Sequence, residues 1–274
     1  MSIGACNCEN GWVIVMVPEC QLESEEGVKV YSDSNPEEMR EVARPCPICR
    51  GRNYMANRTK RKARIPSAFY DAEFKDFDWT IYEDNNGNKV NLEQQQVFVT
   101  AFLADYREWE KAGIGLYIWS KMKGSGKTFL ASAICNTLIK ERHITPKFVS
   151  ASDLLDIASD KSQGPDPIRD LCDCDLLVLD DLGQKKTGED WMEDILFRIF
   201  DTRMMNKKIT IVTSNKKMED QPFDDRISDR MFKILQPIPL PEYCVRAKEA
   251  KEAKKTLLKK LGLMGGQKKQ EEKL

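Results

Sequence analysis

Lys123-Gly124-Ser125-Gly126-Lys127-Thr128 lies between the apolar run Gly115-Leu116-Tyr117-Ile118-Trp119 and the helix-forming stretch Phe129-Leu130-Ala131-Ser132-Ala133-Ile134. Strand, glycine loop, then helix is the setting of a phosphate-binding loop. Glycines let successive backbone N–H groups turn toward an anion, the lysine reaches the terminal phosphates, and the threonine hydroxyl is available to magnesium. The candidate nucleotide contacts are Lys123, Gly124, Ser125, Gly126, Lys127, Thr128 and Phe129, with a nucleoside triphosphate and Mg2+ as the implied ligands. One position departs from the usual pattern: its first glycine falls on Lys121.

Around this loop, apolar strand candidates alternate with helical stretches. The strands are Gly115–Ser120, Lys147–Ser150, Leu176–Asp181, Ile209–Ser214 and Ile234–Leu240; the helices include Lys127–Glu141 and Trp191–Met205. Such alternation predicts an α/β fold in three layers, a parallel sheet with helices on both faces. Upstream, Val97, Phe98, Ala101, Phe102 and Tyr106 have the spacing of one amphipathic helix over Leu92–Trp109. Trp119 and Trp79 read as packing residues, and His143 as a helix-end cap.

Two further strands end in chemistry-bearing residues. Asp175-Leu176-Leu177-Val178-Leu179-Asp180-Asp181-Leu182-Gly183 is a buried strand closing on paired carboxylates, the form of a Walker B site. There Asp180 would hold magnesium and Asp181 would orient or deprotonate the attacking water; a strand that merely ends in an acidic turn is the alternative. Ile209-Thr210-Ile211-Val212-Thr213-Ser214-Asn215 ends in an amide that would contact the γ-phosphate or the water, or else cap the next turn. In Asp225-Arg226-Ile227-Ser228-Asp229-Arg230-Met231 the two arginines share a helix face. Arg230 is a candidate finger toward a neighbouring subunit's nucleotide, with ordinary surface ion pairs as the competing account.

The chain of 274 residues has room for one large core and a small extra module. A net charge of −1 excludes whole-molecule attraction to nucleic acid, so any such binding needs a local patch. No apolar run approaches the roughly 20 residues of a membrane span, and residues 1–9 lack a signal-peptide pattern. A cytoplasmic protein with no membrane partner is expected. Reduced thiols then favour metal for clustered cysteines. Cys6-Asn7-Cys8 and Cys46-Pro47-Ile48-Cys49 form two close pairs that would close a zinc site, with Cys20 a possible substitute ligand. His143 is the only histidine and lies outside this segment, so the site would be all-cysteine. The expected organisation is a cysteine-rich zinc-binding module over 1–57, a basic linker over 58–68, the nucleotide-binding domain over 69–245 and a charged helical tail over 246–274. The linker's Arg58, Lys60, Arg61, Lys62 and Arg64 would grip single-stranded DNA or an acidic partner, or simply be solvated.

The succession G-S-G-K-T, L-V-L-D-D-L-G, I-V-T-S-N and D-R-I-S-D-R-M resembles the AAA+ ATPase core of bacterial and phage replicative helicase loaders of the DnaC/DnaI type, within the IstB-like superfamily. The resemblance runs from about Ile65 to Arg246 and includes Phe74-Lys75-Asp76-Phe77-Asp78 and Glu189-Asp190-Trp191. It implies Lys127 and Thr128 for phosphate and magnesium, Asp180 for magnesium, Asp181 for activating water, and Asn215 as sensor 1. It also implies Arg230 as a trans-acting finger and Arg246 as sensor 2. The implied activity is slow ATP hydrolysis that switches the loading of a hexameric DnaB-like helicase onto single-stranded DNA, with self-association in the ATP-bound form, in a bacterial or phage-infected cell. Two rivals share these residues: an IstB-like transposition helper, and a nucleotide-dependent adaptor that does not hydrolyse.

Overall fold

In the computed structural model of the chain, residues 12–18, 39–45, 59–159, 168–183 and 190–261 are described. The chain divides into two units, Met1–Arg61 and Lys62–Leu274. In the first, β1 (Trp12–Pro18) and β2 (Met39–Pro45) pair antiparallel, with Trp12 opposite Pro45 and Pro18 opposite Met39.

The second unit is built on five strands: β3 (Gly115–Trp119), β4 (Pro146–Ser150), β5 (Leu176–Leu182), β6 (Ile209–Ser214) and β7 (Leu235–Pro239). They form one parallel sheet in the order β4-β5-β6-β3-β7. Leu116 to Ile118, Leu176 to Leu179 and Ile209 to Val212 are buried. Continuous apolar runs are what a parallel strand covered on both faces requires. The helices are α1 (Glu93–Ala104), α2 (Tyr106–Ala112), α3 (Lys127–Arg142), α4 (Ala151–Ser159), α5 (Arg169–Asp173), α6 (Asp190–Met205), α7 (Asp225–Ile234) and α8 (Val245–Lys260). Tyr117, Leu177, Leu179 and Val212 share a core with Leu154, Leu171, Leu196, Ile199, Phe200, Ile227 and Met231 from α4 to α7. By strand alternation Leu116, Ile118, Val178 and Ile211 face the other way, where α3 packs on β3, β5 and β6. The result is a three-layer α/β domain with β6 and β3 at its centre.

Two sequence expectations need correcting. The single helix over Leu92–Trp109 is two helices, broken at Asp105 (φ −110°, ψ 31°). Its buried stripe is Val99, Phe102, Leu103 and Tyr106, while Val97 is 60% exposed. Three consecutive apolar residues, Val97-Phe98-Val99, leave the phase of the stripe open in sequence. Packing chooses it, with Phe102 stacked edge-on against Tyr106 and Trp109 at 5.6 and 5.5 Å. Within the basic stretch, Ala63 and Ile65 are buried, and the Ala63 carbonyl accepts from the Phe148 N–H at 2.7 Å. Residues 63–65 therefore cover the open edge of β4 rather than hanging in solvent. His143 caps α3 in the left-handed region, φ 58°.

Candidate functional site

Parallel strands bring their C-terminal ends to one edge, and there the loops after β3, β5 and β6 meet. The loop from β3 to α3 turns on Gly124 (φ 75°) and Gly126 (φ 94°), conformations that favour glycine. Lys121 is not among the positive-φ residues, so the backbone has no need of glycine there. Its ammonium lies 3.8 Å from Glu242, both exposed. The variant entry thus leaves the two glycines that shape the loop in place.

Lys127 opens α3 and is 7% exposed. Its Nζ donates to the carbonyls of Met122 at 2.9 Å and Ser120 at 3.3 Å and to Ser125 Oγ at 3.2 Å. Burial pushes the ammonium pKa down, while nearby Asp181 and Asp180 pull it up. One turn face away, Thr128 Oγ1 donates to Asp180 at 3.0 and 3.3 Å. Thr213 Oγ1 donates to the same carboxylate at 2.6 Å and accepts the Asp181 N–H at 2.9 Å. Burial pushes the Asp180 carboxyl pKa up, against the lowering effect of those two hydroxyls.

Asp181 sits in the left-handed region, φ 59°, at a register shift of the β5–β6 ladder between Leu179 and Leu182. The bulge re-aims its side chain, and Asn215 Nδ2 donates to Asp181 Oδ1 at 2.7 Å. A strained non-glycine backbone beside paired carboxylates is where folds store functional geometry.

A cleft beside the loop is lined by Phe69, Phe77, Ile81, Tyr82, Val245 and Arg246 together with Gly124 to Phe129. Tyr82 Oη donates to the Ser125 carbonyl at 2.8 Å, and a Cβ on Gly126 would meet Phe77 and Tyr82 at 3.2 Å. The Arg246 N–H donates to the Gly124 carbonyl at 3.3 Å. Asn136 of α3 ties down the upstream segment through the carbonyls of Phe69 and Ala72. The loop is therefore braced from both ends of the domain, leaving an aromatic wall suited to a base and a polar floor suited to phosphates.

Lys123, Gly124, Ser125, Gly126, Lys127, Thr128, Phe129, Asp180, Asp181, Asn215 and Arg246 are gathered here. Arg230 is not. It donates to Asp201 Oδ1 at 3.1 Å and lies 4.9 Å from the Phe197 ring, both on α6. Cys6, Cys8, Cys46 and Cys49 lie outside the described residues; among the described residues no group of three or more His, Cys, Asp or Glu could hold a metal. Sequence reasoning missed Thr213, Phe77 and Tyr82. Thr213 was signalled only by its place at a strand end, Phe77 only by its place in the stretch 74–78, and Tyr82 by nothing local.

The sequence model described as "IstB-like ATP binding protein" matches residues 56–233. The chain belongs to this IstB-like ATP-binding family. It is 31% identical over 133 residues to the replicative helicase loader DnaC of Escherichia coli K12, covering 46% of this chain and 54% of that protein. It is 32% identical over 122 residues to the uncharacterized protein YdaV of the same strain, covering 42% of this chain and 48% of that protein. The chain thus spans about half the length of the curated relatives it matches. Among solved structures, the DnaI crystal structure aligns with TM-score 0.52 and 25% identity over 65% of this chain and 92% of that one. The DnaC helicase loader aligns with TM-score 0.53 and 20% identity over 64% and 99%, a likeness of fold. The IstB-like domain therefore has the AAA+ α/β architecture of the helicase-loader structures. Among the described residues no helix is long and apolar enough to cross a membrane.

Proposed function

We propose that this chain binds and slowly hydrolyses ATP, and uses the change of state to load a replicative hexameric helicase onto single-stranded DNA in the cytoplasm of a bacterial or phage-infected cell. The observation that carries the ATPase reading is the hydrogen-bonded series Thr128–Asp180–Thr213–Asp181–Asn215 beneath Lys127. Similarity to DnaC supports the loading role.

Lys127 would exchange the carbonyls of Ser120 and Met122 for phosphate oxygens. Thr128 and Asp180 fit a magnesium ion: hydroxyl and half-buried carboxylate already lie 3.0 Å apart, and the hydrogen bonds described for that carboxylate come from hydroxyls. The metal supplies charge neutralisation of the phosphates. Asp181, aimed by Asn215, would accept the proton of the attacking water. Phe77, Tyr82 and Arg246 would enclose the rest of the nucleotide. Arg230 would reach the site of an adjacent copy in the ATP-bound assembly by releasing Asp201.

The cysteines complete the proposal as a zinc-bearing N-terminal module that contacts the helicase, joined by residues 58–68 to the ATPase domain. The ladder that pairs Trp12 with Pro45 supports it, because Cys8 precedes the first by four residues and Cys46 follows the second directly. Four thiolates would staple a segment too short for a large core.

Lys127→Ala should weaken ATP binding about 100-fold and abolish helicase loading, while the purified wild type carries zinc by elemental analysis. Retention of loading and turnover by Lys127→Ala would refute the ATPase reading, and absence of zinc would remove the metal. The family match favours one other reading, a transposition helper. Co-purification with a transposase, and not with a replicative helicase, would install it in place of the loader.

A further inference from the structure

Behind Asn215 and Asp181 lies a second polar cluster, buried and outside the nucleotide cleft. Gln221, 7% exposed, follows β6 by a short turn and directs its amide back under the sheet edge. Its Nε2 donates to Tyr117 Oη and to Ser214 Oγ, the latter at 2.7 Å. Tyr117 Oη donates to the Lys216 carbonyl at 2.9 Å, Ser214 Oγ donates to the Leu182 carbonyl at 2.7 Å, and the Lys216 N–H donates to Ser214 Oγ at 3.1 Å. Tyr117 and Ser214 are fully buried.

The direction of every bond is fixed by chemistry. The carbonyls of Leu182 and Lys216 can only accept, so each hydroxyl spends its single proton on one of them. Both hydroxyls must then accept from Gln221, which requires the amide nitrogen, with both of its protons used. The amide oxygen is left facing Gly183. It has no hydrogen-bond partner, and a Cβ on Gly183 (φ 91°) would stand 2.1 Å from it.

The residues clamped are the neighbours of the two polar side chains of the site. Ser214 and Lys216 flank Asn215; Leu182 and Gly183 follow Asp181. Asn215, just past β6, and Asp181, at the bulge of β5, meet through a 2.7 Å hydrogen bond. Leu182 and Ser214 are register partners in the β5–β6 ladder, and the Ser214 hydroxyl that Gln221 holds adds a side-chain hydrogen bond to the Leu182 carbonyl.

We propose that Gln221, acting with Tyr117 and Ser214, is a positioning residue for ATP hydrolysis: it fixes the separation of the Asp181 and Asn215 loops without touching nucleotide. This rests on the ATPase reading above. Gln221→Met keeps the length and apolar stem of the side chain but removes both donors; Tyr117→Phe removes the hydroxyl. Displacement of a reacting group by about 1 Å costs on the order of 100-fold in rate.

The test uses the full-length chain, with ATP affinity, kcat, KM and Tm measured for wild type, Gln221→Met, Tyr117→Phe, the double variant and Thr210→Val. Gln221→Met should lower kcat about 10- to 100-fold with KM and ATP affinity within about twofold. Tyr117→Phe should act in the same direction, and the double variant should be no worse than the poorer single one, because the two share a network. Thr210→Val, at the far end of β6, should lower Tm without changing kcat, which sets the effect of destabilisation alone. The positioning role is overturned if kcat stays within about twofold in both single variants, or if it falls only together with ATP affinity. If Gln221→Met does not fold, Tyr117→Phe decides by the same criteria. Absence of turnover in the wild type overturns the ATPase reading and this role with it; turnover in the wild type with unaltered variants overturns this role alone.

Discussion

A charge is packed against each end of strands β5 and β6, fully buried at one and half-buried at the other, and the two ends treat it in opposite ways. Before the strands begin, Arg203 of α6 is 0% exposed. Its guanidinium donates to the carbonyls of Leu171, Cys172, Cys174 and Ile209 and to Thr210 Oγ1. Five neutral oxygens and the Cys174 sulfur surround a planar cation, and burial of so large a cation is tolerable only with that coverage. After the strands end, Asp180 faces two hydroxyls that hold it in place and a lysine nearby, and Asp181 next to it carries a strained backbone. A charge satisfied on all sides by fixed dipoles holds a fold together. A half-buried carboxylate held by two hydroxyls keeps room for a cation, as the proposed magnesium role requires.

The comparison is broken most directly at Arg203. Arg203→Leu would remove the donor to carbonyls of α5, the turn that follows it, and β6. The expected loss is about 3–5 kcal/mol, or about 10 °C in Tm, with ATP affinity unchanged in whatever remains folded. A variant of normal Tm that has lost ATP turnover would show that the two ends are not divided into structure and chemistry.

At the other end the order of effects should invert. Asp181→Asn retains the side-chain volume and a residue type that tolerates the left-handed region. We expect kcat for ATP to fall about 100-fold or more while Tm stays within a few degrees. A large fall in Tm with kcat preserved would mean that the Asn215–Asp181 contact is structural, like the Arg203 cluster.

How much of this was legible in sequence follows the same division. The five strands were readable to within one or two residues, most securely β3, β5 and β6, because an inner strand covered on both faces is a continuous apolar run. The glycine loop with Lys127 and Thr128 was readable because its chemistry is local. Arg203, Thr213, Tyr82 and Gln221 were not. Thr213 meets Asp180 across 33 residues of chain, Tyr82 meets Ser125 across 43, and Gln221 meets Tyr117 across 104. The first and last of those meetings depend on β6 lying between β5 and β3, and the second on the upstream segment folding back over the glycine loop, neither of which a local pattern announces. Arg230 marks the remaining boundary. Within one chain it is an ordinary ion pair with Asp201, and whether it serves a neighbour's nucleotide is a property of the assembly.

The smallest expected effect sharpens the comparison furthest, because it changes sign with the ligand. Burial holds the Asp180 carboxyl pKa above its ordinary value, so ionising it costs the folded state more than the unfolded one. Relative to a neutral side chain, Asp180 therefore destabilises the nucleotide-free protein above its raised pKa, and the difference fades as pH falls below the unfolded value near 3.9. Asp180→Asn keeps an acceptor for Thr128 and Thr213 and removes that charge. Without nucleotide it should raise Tm at pH 8, and by less as the pH is lowered. With MgATP the order should reverse: the wild type gains from a cation on its carboxylate, and the variant loses the magnesium-dependent part of that gain. An Asp180→Asn protein that is less stable than wild type at pH 8 without nucleotide would place Asp180 beside Arg203, as a charge the fold already satisfies. Stability curves with and without MgATP at two pH values separate those outcomes, because a charge already paired gives no reversal.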